Sequence, residues 1–341
     1  MLTALKKLNS LFRRKNKIGF LVLLCFMFLS AILETIGVGA IPAFVSVIAF
    51  PDQILKYPIL KPLLEYFDLT TPKQLLIYTS IALLIVFVIK NLYISFVYYL
   101  QARFTKNRQV DLSHRLFALY INASYSFHLK HDGSELLRNL NLETQKAITG
   151  ILVPLQTIIM QGLVLISIFI LLLVTEPVIT VFAGIILGSA SGFFLKGLNA
   201  QLKKLGREAQ KERQVSIQAI NQGFSGIKEV LVSGNSGYFT NRFLISIRRM
   251  TSADAFWKVT NKLSQPFLES IIVFGILAVA FLLLFMARPI ESIVPILALF
   301  AAALVRLKSC MNMIVQSFTN LRYNSVSVKP IWNDINKLTK L

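Results

Sequence analysis

Six long apolar stretches run along the chain, separated by segments that carry most of the charge. We place the stretches at 18–50, 75–104, 147–174, 177–198, 264–287 and 290–318. A helix needs about 20 apolar residues to cross the roughly 30 Å hydrocarbon core of a bilayer. Helices also satisfy their own backbone hydrogen bonds, which lipid cannot do. The pattern therefore predicts an all-α membrane protein with six transmembrane helices.

The connections between these stretches alternate in length. Tight turns at 175–177 and 287–289 join the third span to the fourth and the fifth to the sixth, and segment 51–74 is moderate in length and balanced in charge. The first two stretches are longer than a bilayer requires, so their helices should tilt or project into water. Pro42 predicts a kink in the first helix.

Two long connections, 105–146 and 199–263, are basic. Segment 199–263 carries eleven Lys or Arg residues against four acids, and the N-terminus is also basic. Because Lys and Arg near span ends favour the cytoplasmic side, we expect both termini and both long connections to be cytoplasmic. Apolar residues in 198–231 recur mostly at helical spacing, so the membrane helices should continue as amphipathic rods.

The net charge of +20 raises the possibility of nucleic-acid binding. The basic residues cluster between the spans, however, where they set topology and attract anionic lipid, so we expect no nucleic-acid partner. Cys25 and Cys310 both lie in apolar runs, which predicts neither a disulfide framework nor a metal site. The first apolar run is too long for a cleaved signal peptide.

The first long connection contains an aromatic segment at 125–127, followed by Gly-Ser-Glu-Leu-Leu-Arg at 133–138. Asp132 and Glu135 are spaced as an N-cap and its N3 partner, which predicts the start of a short helix. Gly133 would permit a bend before that helix.

The second long connection has a break that contains Gly226 and Gly234, followed by Tyr238 and Phe239. With the six spans and short outer turns, these two motifs resemble the transmembrane domain of ABC exporters and flippases, across nearly all of residues 1–341. The resemblance implies the type I exporter architecture. It also implies that both segments are coupling regions that dock on ATP-binding domains, with these candidate residues: Gly133, Ser134, Glu135, Leu136, Gly234, Tyr238 and Phe239.

A narrower resemblance concerns the membrane segments Leu33-Glu-Thr-Ile-Gly-Val-Gly-Ala-Ile-Pro42 and Ala303-Leu-Val-Arg-Leu307. Together they are similar to bacterial flippases that move lipid-linked oligosaccharides across the inner membrane. Relatives carry further bases near Gln265 and Met313, and Lys308 could compensate for their loss. The resemblance implies a multi-pass protein of the bacterial inner membrane. An ABC exporter of a peptide, drug or other lipid stays an alternative.

The chain has no phosphate-binding G-x-x-x-x-G-K-[ST] motif, so we expect no ATPase activity and no cofactor in it. The resemblance implies that ATP and Mg²⁺ bind to a partner nucleotide-binding domain, fused downstream or separate. Residues 331–338 resemble the linker that leads into such a domain. The resemblance also implies a second transmembrane domain, which would make the working unit a dimer, expected to be a homodimer, surrounded by membrane lipid.

Several charged residues fall within the predicted spans, and each would cost about 2.5–3.5 kcal/mol at mid-bilayer unless it faces a cavity or a partner. Lys90 and Lys308 could instead snorkel to a span end. Four of the charged residues are candidates to line a substrate cavity: Glu34, Glu269, Arg306 and Lys308.

Two interpretations of Arg306 stay open. It binds a phosphate or another anion, or it pairs with Glu34 to fix helix packing. Two other classes of protein also compete with an exporter, namely an ion-coupled secondary transporter and a membrane scaffold. The absence of an internal repeat disfavours the first, and the charges within the spans disfavour the second.

Overall fold

The computed structural model describes residues 14–51, 71–285 and 290–339, and all regular structure in these ranges is helical. We number the α-helices in chain order: α1 (Arg14–Ala49), α2 (Pro72–Ile121), α3 (Tyr125–Lys130), α4 (Gly133–Arg138), α5 (Thr144–Thr149), α6 (Leu152–Thr175), α7 (Pro177–Ser225), α8 (Ile227–Val232), α9 (Ser236–Phe285), α10 (Ile290–Asn324) and α11 (Val328–Thr339). A π-helical turn, Asn139–Glu143, joins α4 to α5, and a 3₁₀ turn, Ser325–Ser327, joins α10 to α11.

Within these ranges, four helical stretches are long and apolar enough to cross a membrane: Ile18–Ala49, Pro72–Ile121, Gly133–Thr175 and Val294–Thr339. They contain the second and third predicted spans and overlap most of the first and sixth. The fourth and fifth predicted spans fall on α7 and α9, and several of their side chains lie outside the described part of the chain. The total of six spans therefore stays a prediction.

Parts of three predicted connections also lie outside the described residues. They are most of segment 51–74, the turn at 287–289 and the N-terminal basic residues before position 14. The turn at 175–177 is described: Glu176 separates α6 from α7, and Pro177 occupies the first turn of α7. Proline is well tolerated there because the first amides of a helix have no partner within the helix.

The longest helices extend well beyond a bilayer. α2 and α9 have 50 residues each and α7 has 49, so each is about 75 Å long at a rise of 1.5 Å per residue. A hydrocarbon core about 30 Å thick covers less than half of that length. The predicted helical continuation beyond the spans is therefore present in α2, α7 and α9, whereas its cytoplasmic location stays a prediction.

Local sequence explains where several helices begin and continue. At the start of α2, the Thr71 hydroxyl accepts from the Gln74 amide at 3.3 Å, and the Gln74 side chain accepts from the Thr71 amide at 3.2 Å. This reciprocal capping satisfies amides that the helix leaves free. α1 continues through Pro42, and the Ser46 hydroxyl donates to the Pro42 carbonyl at 2.9 Å.

The helical stretch that contains the third predicted span, 147–174, is interrupted near the start of that span. α5 ends at Thr149 and α6 starts at Leu152. A Cβ on Gly150 would lie 2.7 Å from Asn324 Cβ, so the lack of a side chain at this break allows α10 to approach closely. Tertiary packing therefore sets this boundary.

Two of the apolar clusters within the described residues each join several helices. One lies at span depth and joins α1, α6, α7 and α10 around residues such as Ile168, Phe300 and Leu304. The other lies where the rods leave the spans and joins α2, α3, α5 and α6 to α11. α11 is amphipathic, and it buries Val328, Ile331 and Ile335 in this second core. The segment that resembles a linker is thus a packed helix.

Candidate functional site

Three charged side chains from three helices meet within the predicted spans. We call them the span cluster: Glu34 on α1, Lys90 on α2 and Arg306 on α10. Arg306 Nη2 donates to Glu34 Oε1 at 2.8 Å, and Lys90 Nζ lies 3.5 Å from Glu34 Oε2. Each carboxylate oxygen therefore has its own cation. Counted over these three groups, the cluster carries one excess positive charge.

The three members differ in how far they are exposed. The side chain of Arg306 is 23% exposed, whereas those of Lys90 and Glu34 are 10% and 8% exposed. Arg306 Nε is buried and has no hydrogen-bond partner among the described residues. Arg306 is thus the most accessible member of the cluster, and it holds Glu34 through one of its five N–H donors.

The Lys90 side chain packs closely against α1. Its Nζ lies 4.3 Å from the centroid of the Phe87 ring, within the range of a cation–π interaction. A Cβ on Gly37 would lie 2.9 Å from Lys90 Nζ, so glycine at this position allows the ammonium to reach Glu34, one turn away on the same face. The sequence left open whether Lys90 snorkels to a span end, and the structure pairs it with Glu34 instead.

The other two cavity candidates form a separate pair. Lys308 Nζ lies 3.0 Å from Glu269 Oε2, which joins α10 to α9. The Glu269 side chain is 58% exposed, and the charges of the pair cancel. The four cavity candidates therefore belong to two separate groups of charges, one around Arg306 and one around Lys308 of α10. The sequence did not indicate that Lys90 belongs to the group around Arg306.

A cavity of about 390 Å³ lies between α6, α7 and α10, and almost all of its lining is apolar. Leu307 and Met311 of α10 contribute to it, but none of the charged candidates does. The Thr180 hydroxyl in its wall already donates to the Glu176 carbonyl at 2.6 Å. This cavity therefore offers no recognition of a charged group.

The first coupling region begins with the N-cap that the sequence predicts. Asp132 Oδ1 accepts from the Ser134 amide at 3.0 Å. Glu135 does not complete a capping box, because its carboxylate lies 3.5 Å from His131 Nδ1 and 3.9 Å from Arg138 Nη2. Gly133 has no positive φ and leads into α4 directly, so the bend does not require glycine there.

α4 presents different residues outward than we expected. Ser134 is buried and accepts from Asn221 Nδ2 of α7 at 3.0 Å. Leu136 packs against the core that contains α11, whereas Leu137 is exposed. Leu137 is therefore the more accessible of these two apolar residues of α4, because Leu136 already contributes to the fold.

Beyond α4, a buried polar network that we call the hub joins four elements through Arg138, Asn139, Glu143 and Asp334. Asp334 of α11 accepts from the Tyr120 hydroxyl at 2.6 Å and from Asn139 Nδ2 at 3.0 Å. Arg138 Nη2 donates to Asn139 Oδ1 at 2.9 Å, and Gln210 of α7 donates to Glu143 at 2.8 Å.

Arg138 is the centre of the hub. It also donates to Gln214 of α7, and its Nε lies 3.9 Å from Glu143 Oε1. The hub thus connects α4 to α2, α7 and α11. The sequence did not indicate it, because its members are far apart along the chain and only folding brings them together.

The second coupling region is a short helix between two long ones. α8 starts after Gly226, and Gly234 has a φ of +64°, a left-handed conformation that favours glycine before α9. Tyr238 and Phe239 lie in the first turn of α9, where Phe239 packs near Gly223 and lines a cavity of about 230 Å³.

The most exposed apolar residues of this region form what we call the α8 tip. Leu231 and Val232 are 70% and 83% exposed. We had not selected them from the sequence. The sequence did contain a signal for them, since they are two apolar residues that immediately precede the Ser-Gly of a predicted break.

Within the described residues, no group of three or more His, Cys, Asp or Glu side chains could hold a metal ion.

Known proteins are similar to about half of this chain. An ATP-dependent lipid A-core flippase of Cupriavidus metallidurans is 24% identical over 188 residues, which cover 53% of this chain and 31% of the flippase. An ATP-dependent lipid A-core flippase of Ralstonia nicotianae is 23% identical over 177 residues, which cover 50% of this chain and 29% of the relative. The chain thus matches about three tenths of the length of each relative.

The family comparison extends further along the chain. The family described as ABC transporter transmembrane region matches residues 19–307 of this chain. That match includes the span cluster, both coupling regions and the helices that connect them. Members of this family are the membrane-spanning parts of ABC transporters, which pair in dimers and work with nucleotide-binding domains. The all-helical chain with its long apolar helices therefore belongs to the ABC transporter transmembrane region family.

Proposed function

We propose that this chain forms the translocation pathway of an ATP-driven exporter that flips a lipid with an anionic headgroup, most specifically a lipid-linked saccharide, across the inner membrane. The observation that carries the proposal is the excess positive charge of the span cluster at membrane depth. The two relatives named as lipid A-core flippases support a lipid substrate.

The chemistry of a lipid substrate suits this arrangement. The tail of the lipid can stay in the bilayer, so the protein needs to shield only the polar head. That requires a few cations in a wet cavity and no large apolar pocket. Arg306 is the most exposed cation of the span cluster, and a guanidinium matches the geometry of a phosphate through two parallel hydrogen bonds. We assign the headgroup contact to Arg306.

ATP supplies the direction of transport in this proposal. ATP and Mg²⁺ bind to partner nucleotide-binding domains, and ATP stabilises the closed state of those domains relative to the open one. The exposed Leu137 and the α8 tip contact them, and the long helices carry the movement to the span cluster. Both termini and both coupling regions lie on the cytoplasmic side, and a second copy of the chain completes the pathway.

A flipping assay tests the proposal. The full chain is reconstituted into vesicles with its ATPase partner, together with a fluorescent phosphatidic acid or, separately, a fluorescent phosphatidylcholine. ATP should accelerate flipping of the anionic lipid and leave phosphatidylcholine at its background rate. Equal rates for the two lipids, or no ATP effect on either, would contradict the proposal.

Variants of α10 locate the headgroup contact. Arg306→Ala should abolish most of the flipping, and Arg306→Lys should reduce it partly because charge is kept and the fork is lost. Lys308→Ala is the matched control on the same helix. Its effect should be smaller, because Lys308 is neutralised by Glu269 at 3.0 Å. Unimpaired flipping by Arg306→Ala would exclude Arg306 as the contact.

A further inference from the structure

The span cluster holds two cations and only one acid, which leaves its charge unbalanced at membrane depth. A cation in this environment is costly unless it is paired. A second anion would give two ion pairs and no net charge. Among the described residues, the cluster therefore carries one positive charge that a further anion would balance.

Glu34 can give up one cation and keep the other. Its Oε1 accepts from Arg306 at 2.8 Å, and its Oε2 faces Lys90 at 3.5 Å. If Arg306 turned to another anion, Glu34 would still be paired with Lys90. Lys90 is held between the Phe87 ring and the surface of α1 at Gly37, so it stays in place to do this.

Arg306 is suited to change partners. Its side chain is more than twice as exposed as that of Glu34, at 23% against 8%. It holds Glu34 through Nη2, and its buried Nε has no hydrogen-bond partner within the described residues. A phosphate that binds the fork formed by Nε and one Nη would satisfy this donor and improve on the single hydrogen bond to Glu34.

We propose that Glu34 is a resident counter-ion that occupies Arg306 between transport cycles, that the phosphate of the headgroup displaces it, and that Lys90 retains it meanwhile. This inference rests on the proposed function and names the exchange that occurs at that site. When the substrate leaves, Glu34 returns to Arg306. Competition from Glu34 thus keeps the headgroup affinity low enough for release.

Binding measurements on variants test this exchange. The full chain in detergent with its ATPase partner is titrated with dioctanoyl phosphatidic acid. Dioctanoyl phosphatidylcholine, whose headgroup has no net charge, is the control. Glu34→Gln removes the competing charge and keeps the side-chain shape. It should bind phosphatidic acid about fivefold tighter or more, while flipping slows because release is slower. If Glu34 only supports packing, the thermal midpoint falls and the affinity does not rise.

The role of Lys90 is tested by a double-mutant cycle. Lys90→Gln leaves Glu34 dependent on Arg306, so phosphatidic acid should bind more weakly. In the Glu34→Gln background the same change should have little effect, because no competitor is left for Lys90 to retain. An equal loss of affinity in both backgrounds would mean that Lys90 contacts the phosphate directly, which would overturn the exchange.

The result also separates this inference from the proposed function. If the unmodified protein shows no preference for phosphatidic acid over phosphatidylcholine, the proposed function and the exchange both fail. If it shows that preference but Glu34→Gln binds no tighter, only the exchange fails. The thermal unfolding midpoints of all variants identify any that are misfolded. The double variant with Lys90→Gln and Glu34→Gln measures the effect of Lys90 on affinity when the buried carboxylate is absent.

Discussion

The span cluster and the hub both bury charged side chains, but they are built differently. In the span cluster, one carboxylate faces two cations, and Arg306 contributes one hydrogen bond to it. In the hub, neutral donors and acceptors from Tyr120, Asn139 and Gln210 surround the charged groups, and Glu143 is 0% exposed. A densely bonded network holds one arrangement, whereas a sparse ion cluster can exchange partners.

The difference indicates how movement reaches the membrane. The hub ties α4 to α2, α7 and α11, so these helices should move as one body when a partner displaces α4. The span cluster joins α1, α2 and α10 by contacts that a substrate can replace. We therefore expect substitutions in the hub to affect stability first, and substitutions in the span cluster to affect binding first. Three predictions test this comparison, in decreasing order of effect on stability.

The largest effect is expected at the centre of the hub. Arg138→Ala removes a cation beside the fully buried Glu143 together with the donors to Asn139 and Gln214, and breaking a buried ion pair by removing one partner costs about 3–5 kcal/mol. Arg306→Ala should cost clearly less, because Glu34 keeps Lys90 at 3.5 Å. Thermal unfolding of the two purified variants and of the unmodified chain measures these losses of stability. A greater loss at Arg306 than at Arg138 would reverse the comparison.

A smaller effect is expected where α11 joins the hub. Tyr120→Phe removes the hydroxyl that donates to Asp334 at 2.6 Å, and a lost hydrogen bond to a buried carboxylate costs about 1–3 kcal/mol. Hydrogen exchange should show faster opening of α11, with little change in α9.

Asp334→Asn provides the second arm of a double-mutant cycle. The two changes together should cost less than the sum of the single changes, because they remove the same contact. Additive losses would show that Asp334 and Tyr120 act independently and that α11 is held by its apolar face alone.

The smallest effect on stability is expected at the α8 tip. Val232 is 83% exposed, so Val232→Asp should change stability by no more than about 0.5 kcal/mol. It should nevertheless uncouple flipping from ATP hydrolysis, because a charge would be placed in the contact with the ATPase partner. Val110→Asp, at an exposed position on α2, is the control. Normal coupling in Val232→Asp would exclude this tip as a contact.

The structure also changes how a charge swap at the span cluster should be designed. Exchanging Glu34 and Arg306 looks like a simple test of an ion pair when only those two residues are considered. Lys90 lies 3.5 Å from Glu34, so an arginine at position 34 would face a second cation. A swap that restores function therefore requires Lys90→Gln as well, which the sequence alone does not suggest.

The sequence by itself determined the class of the protein. Uninterrupted apolar stretches and the lack of lipid partners for backbone groups require helices. Basic connections indicate the orientation of those helices, and their order with the short turns resembles that of ABC exporters. Local signals were also sufficient for the Asp132 N-cap and the break at Gly234. These features depend on residues that are neighbours in the chain, so their spacing already contains the information.

Only the tertiary structure decided which side chains meet. Lys90 and Glu34 are paired, Leu136 is packed and Leu137 is exposed, and Asp334 joins α11 to the turn after α4. Each outcome depends on how long helices are rotated and placed against one another. Helix rotation is set by packing and burial summed over the whole bundle, and no local spacing along the chain records that sum.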